Sequence, residues 1–77
     1  MAKLIKVYVV DSDGNGVSGQ RVKVYGGDEQ RTDRNGCVSV LLEGSNVSLY
    51  VNGFTAYSGS VSRLDPKEVF TKSGGRP

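Results

Sequence analysis

Run after run in this chain, the apolar side chains fall on every second residue. Ile5, Val7 and Val9 alternate with Lys6 and Tyr8, and Val22 and Val24 alternate with Arg21, Lys23 and Tyr25. Val38, Val40 and Leu42 alternate with Cys37, Ser39 and Leu41, and Val47, Leu49 and Val51 with Ser48, Tyr50 and Asn52. A period of two sends one set of side chains to one face of a pleated strand and the rest to the other. Valine reinforces this, because its branched β-carbon crowds a helix and packs well on a sheet. No stretch shows a sustained helical period. Turn formers at 11–16, 26–29, 33–36 and 43–46 separate the runs, at the spacing of roughly 8–12 residues found in sandwiches and barrels. Asn35-Gly36 is the strongest of these signals, since that pair readily takes the positive φ angles of a tight hairpin.

The expected fold is therefore all-β: a small antiparallel β-sandwich of six to seven strands. Phe54, Val61 and Leu64 join the inward positions above to make one core. Residues 30–32 read as a short polar edge strand, and 55–64 as a weaker strand anchored by Val61 and Leu64. Asp65-Pro66-Lys67-Glu68 has the order of a helix N-cap, a first-turn proline and a capping glutamate. Only Val69 and Phe70 follow, so one helical turn and a last short strand both remain open. Residues 1–72 are expected to form a single domain. Ser73-Gly74-Gly75-Arg76-Pro77 has no apolar anchor and reads as a flexible tail.

A chain of 77 residues buries only about 60% of the surface it exposes when unfolded. That leaves little stability to support a deep, strained active site. Histidine is absent, which removes the usual proton shuttle, the commonest transition-metal ligand and the Ser-His dyad. No cofactor is implied. Ten basic and eight acidic side chains leave a net charge of +2, too small to imply nucleic acid or an anionic membrane by itself. No apolar run is long enough to span a bilayer as a helix. Alternation begins directly after Met1-Ala2-Lys3, with no apolar leader run. Cys37 is the lone cysteine, so the fold has no internal disulfide, which fits a reducing, cytoplasmic setting. Cys37 reads as a small strand residue, or as an accessible thiol able to cross-link copies under oxidation.

Asp11-x-Asp13-x-Asn15-Gly16 matches the front half of a calcium loop, but the twelfth position is Val22 where a bidentate glutamate is needed. A shallow site on Asp11, Asp13 and Asn15 is the metal reading, with Asp33 contributing only if the two turns meet. A plain Asx turn is the alternative. Gly14-x-Gly16-x-x-Gly19 lies between two strands, so no helix dipole is available for a pyrophosphate. Asn46-Val47-Ser48 formally matches a glycosylation acceptor but enters a strand. The outward residues are more informative. Lys6, Tyr8, Arg21, Lys23, Tyr25, Leu41 and Tyr50 would gather tyrosines and cations on one face if the first two runs pair. Such a face suits a protein partner, a single-stranded nucleic acid, or simply solvent.

The stretch from Val7 to Asp11, followed by Asp13-Gly14-Asn15-Gly16-Val17-Ser18-Gly19-Gln20-Arg21-Val22, resembles the opening of carboxypeptidase regulatory-like domains. Thr32-Asp33-Arg34-Asn35-Gly36-Cys37-Val38 is similar to the Thr-Asp-x-x-Gly hairpin of that family, and 47–54 to its later strand ending in Gly plus an aromatic. The resemblance covers roughly residues 5–64. It implies a transthyretin-like or immunoglobulin-like sandwich with an accessory role, and it carries over no catalytic residue. Gly16 stands where the family usually has proline, which is expected to loosen the first turn.

The function expected is thus a non-catalytic structural or protein-interaction module. It would present an outer sheet face or an edge strand to a protein partner or to a second copy of itself, with Tyr8, Arg21, Lys23, Tyr25 and Tyr50 as the contact patch. The alternatives are a nucleic-acid-binding domain using the same residues and a calcium-dependent adhesion module.

Overall fold

The alternating runs close into two packed sheets in the computed structural model, which describes residues 2–77. The strands are β1 (Ala2–Val10), β2 (Arg21–Val24), β3 (Glu29–Arg31), β4 (Cys37–Glu43), β5 (Asn46–Val51), β6 (Phe54–Ser60) and β7 (Lys67–Thr71). A short 3-10 turn, Val61–Arg63, joins the last two. One sheet has the order β4-β1-β7 and the other β3-β2-β5-β6. Side chains of Ile5, Val7, Val9, Val22, Val40, Leu42, Leu49 and Val51 meet between them as one buried core, while Val24 and Val38 are half-buried at its margin. At about 25 cal/mol per Å² of apolar surface, this shared burial is the main force holding the two layers together.

Two features depart from a simple antiparallel sandwich. The first is that β7 runs parallel to β1, from Lys6↔Lys67 to Val10↔Thr71. The Asp65 N–H donates to Glu68 Oε2 at 2.7 Å, the backward reach of a capping box, yet the chain continues as a strand. Pairing decides it: the Lys6 N–H donates to the Pro66 carbonyl at 2.8 Å, and the extended conformation drives Phe70 into the core, where it is fully buried. The second is that the expected strand over 55–64 stops at Ser60. Ser60 Oγ accepts the Ser62 N–H at 3.3 Å, and the resulting turn keeps both Val61 and Leu64 buried.

Phe54, expected inside, is 55% exposed. Asn52 (φ 52°) and Gly53 (φ 86°) both take positive φ, forming the two-residue hairpin that Asn-Gly favours. Val51 pairs with Phe54 across it, so Phe54 sits at the open end of the sandwich instead of in its middle. Asn52 also ties the layers together there. Its Oδ1 accepts the Arg21 N–H at 3.0 Å, and its Nδ2 donates to the Lys72 carbonyl at 2.9 Å. Residues 73–77 turn back on the fold: the Thr71 N–H donates to the Gly75 carbonyl at 2.7 Å, and the Arg76 guanidinium lies 4.7 Å from the Phe70 ring centroid.

Two turns share one construction. Asp11 Oδ1 accepts the N–H groups of Asp13 and Asn15, each at 2.9 Å. Asp33 Oδ1 accepts those of Asn35 at 2.8 Å and Cys37 at 3.1 Å. The turns meet where Gly16 faces the Asn35-Gly36 peptide. A β-carbon on Gly16 would lie 2.0 Å from the Asn35 carbonyl oxygen. The expectation that Gly16 loosens the first turn is therefore corrected: glycine permits a backbone-on-backbone contact that no side chain at that position would allow.

Candidate functional site

β1 and β2 do not pair; they belong to different sheets. The expected single patch is accordingly split. Arg21, Lys23, Tyr25 and Tyr50 share the outer face of the four-stranded sheet, whereas Tyr8 and Lys6 lie on the outer face of the three-stranded one.

On the four-stranded sheet, Lys23 sits in register between Glu29 of β3 and Tyr50 of β5. Arg21 is two residues away on the same strand face, opposite Arg31. Alternation from the buried Val22 turns these side chains outward. Just past β2, the Tyr25 N–H donates to the Ser48 carbonyl at 2.9 Å and Gly26 turns the chain at φ 80°, leaving the Tyr25 ring 67% exposed. A shift of register at Leu49/Tyr50 accompanies the pairing of Tyr50 with Thr55. Arg21, Lys23, Tyr25 and Tyr50 converge with Glu29 on one open depression of about 570 Å³. Glu29 and the backbone of Gly26 and Gly53 were not foreseen as part of this surface. They enter from turns and from a three-residue strand, where alternation is too short to assign a face.

The depression carries two cations against one carboxylate, beside two phenol rings. Such a surface can stack on planar groups, hold a carboxylate through Arg21 or Lys23, and exchange hydrogen bonds with a peptide. Arg31 is directed elsewhere, with its Nη1 donating to the Gly19 carbonyl at 3.4 Å.

On the other face, Tyr8 pairs across the strands with Cys37, and the Lys67 ammonium stands 4.9 Å from the Tyr8 ring centroid. The Cys37 thiol raises the Tyr8 hydroxyl above its ordinary pKa, first by hydrogen bonding and then by charge, with desolvation and the Asp33 carboxylate adding to the shift. Cys37 itself is half-buried.

Three carboxylate groups, those of Asp11, Asp33 and Glu68, have structural work. Asp11 Oδ1 holds its own turn closed, as above, and no cluster of three His, Cys, Asp or Glu side chains suited to a metal occurs among the described residues. The two turns meet through the backbone of Gly16 and Gly36. Glu68, 5% exposed, pairs with Arg76. Burial pushes its pKa up, but the Arg76 hydrogen bond, the Asp65 N–H and the charges of Arg76 and Lys3 outweigh burial and hold it below the ordinary value. Lys3 lies beside this group and donates to the Leu64 carbonyl.

No helix among the described residues is long and apolar enough to cross a membrane. Comparisons with protein-family models, with curated proteins and with solved structures find no match.

Proposed function

We propose that this chain is a non-catalytic interaction module that grips a loop of a protein partner on the outer face of its four-stranded sheet. The observation that carries the reading is the convergence of Arg21, Lys23, Tyr25 and Tyr50 on one depression. Tyrosine and arginine are enriched where protein interfaces concentrate their binding energy, because large rigid rings bury much area at small entropic cost. The resemblance to carboxypeptidase regulatory-like domains, with their transthyretin-like or immunoglobulin-like architecture, supports the same accessory role. Glu29 favours protein over nucleic acid, since its carboxylate beside Lys23 repels a run of phosphates. The two cations favour a partner loop that brings a carboxylate.

The test places a photo-crosslinking residue at Tyr25, identifies the captured partner, and measures the purified pair. Tyr50→Ala should weaken binding by about 30-fold, the effect of losing roughly 2 kcal/mol at an aromatic anchor, and Arg21→Glu should do likewise. Affinity should fall only gently with salt. Nucleic-acid binding would instead fall steeply, losing about one decade per decade of salt for each phosphate neutralised. Unchanged affinity in both variants, or a bound species that is nucleic acid with the steep slope, refutes the reading.

A further inference from the structure

A second surface, which adjoins the tyrosine face at Tyr25 and Gly26, lies along the free edge of β4. β4 pairs with β1 and packs across the interior on β2 and β5. No strand among the described residues pairs with its other edge. The place beside β4 is an open groove of about 380 Å³. Val24 and Gln30 line it from the four-stranded sheet, Val40 and Leu41 from β4, and Asp28 and Glu43 add acidic groups.

The backbone of β4 is prepared for a neighbour. The Val9 N–H donates to the Gly36 carbonyl at 2.8 Å. Bonded pairs recur at every second residue of an antiparallel ladder, so Val38 and Val40 face β1 while Ser39 and Leu41 turn their N–H and C=O groups to the open edge. Only the Cys37 end of that edge is closed: the Asp33 N–H donates to the Cys37 carbonyl at 2.9 Å, and the Cys37 N–H donates to Asp33 Oδ1.

Edges are ordinarily blunted by shortness, charge, proline or a bulge. β3 is three residues long, and β6 pairs through a shifted register. β4 runs seven residues and carries no charge before Glu43. On its outer face Leu41, 57% exposed, stands opposite Leu4, 64% exposed.

We propose that this groove accepts an extended segment of a partner protein as a fourth strand of the smaller sheet. The segment spans about five residues, roughly 17 Å of strand. It alternates β-branched apolar side chains, directed at Val24 and Val40, with polar ones. It carries lysine or arginine at the end that lies beside the 25–28 turn, where Asp28 and Glu43 together supply the opposite charge.

The probe is a blocked peptide, Lys-Val-Thr-Val-Thr-Val-Lys, added to the whole chain, with amide hydrogen exchange followed by NMR. A contact this small should bind with a Kd on the order of 100 μM. Near-saturating peptide should slow exchange at Ser39 and Leu41 by about tenfold. A peptide with proline at its centre should not, because proline removes a donor from the ladder. Asp28→Lys with Glu43→Lys should weaken the first peptide by about tenfold at an unchanged melting temperature. Three results overturn the proposal: no slowing at millimolar peptide while the protein stays folded, equal slowing by the proline peptide, or slowing that appears without peptide as protein concentration rises. The last would mean that a second copy occupies the edge.

Discussion

Replacing Gly16 by alanine tests the contact on which the two turns depend. Gly16 is outside the positive-φ glycines. At an ordinary backbone position, Gly→Ala stabilises by about 0.4–1 kcal/mol through the unfolded chain. Here the new β-carbon would sit 2.0 Å from the Asn35 oxygen and 2.8 Å from its carbonyl carbon. Reaching an unstrained separation of roughly 3.5 Å requires more than 1 Å of retreat. Neither side yields freely. The Asn35-Gly36 peptide is held by its Gly36 N–H, which donates to the Asp33 carbonyl at 2.9 Å, and the Val17 N–H beyond Gly16 donates to the Val9 carbonyl at 2.9 Å. Overpacking at about 1–3 kcal/mol, with one hydrogen bond lost at about 1 kcal/mol, gives a destabilisation of about 3 kcal/mol. For a domain of this size that lowers Tm by about 12–24 °C. Gly14→Ala is the control. It meets no atom within 4 Å but carries a φ of 85°, so it should cost only about 1 kcal/mol of backbone strain. Both are read by urea and thermal unfolding of the purified chain. A Gly16→Ala protein as stable as the parent, or more so, refutes the close approach, because even the sign would be wrong.

Phe70→Ala should cost about 3–5 kcal/mol, most of the stability available to a chain this short, and shift the urea midpoint by about 3 M; a shift under about 1 M would show that Phe70 is not central to the core. Acid should destabilise the protein through Glu68. Its folded pKa is depressed, so its contribution is full above the unfolded value of about 4.3 and is lost as pH falls through the lower folded value. Unfolding curves between about pH 6 and 3 should therefore slope less in Glu68→Gln than in the parent, and identical slopes would remove Glu68 from the account.

Where alternation ran for six residues or more, sequence and structure agree. β1 and β5 place Ile5, Val7, Val9, Val47, Leu49 and Val51 inside as their spacing requires. Short segments were harder. Phe70 fills the core, but Val69 and Phe70 are too brief a run to reveal a period, and Glu68 beside them is buried only because Arg76 and the Asp65 N–H receive its charge. Asp65 and Glu68 did signal a real hydrogen bond, which helix and strand can both make, so the bond could not choose between them. Phe54 obeyed its hairpin register, yet register says nothing about how far the opposite sheet extends. The tyrosine surface was half legible. Tyr25 and Tyr50 come together with Arg21 and Lys23, whereas Tyr8 lies on the other sheet, because which strands become neighbours is a long-range choice invisible to local pattern.

The parallel arrangement of β1 and β7 has a mechanical consequence. Because both strands point the same way, Ala2 lies beyond the Lys6–Lys67 end of their shared ladder and Thr71 closes its other end. A pull on those two points drags one strand lengthwise past the other, so every bond between them resists at once. An antiparallel terminal pair would instead peel open one bond at a time.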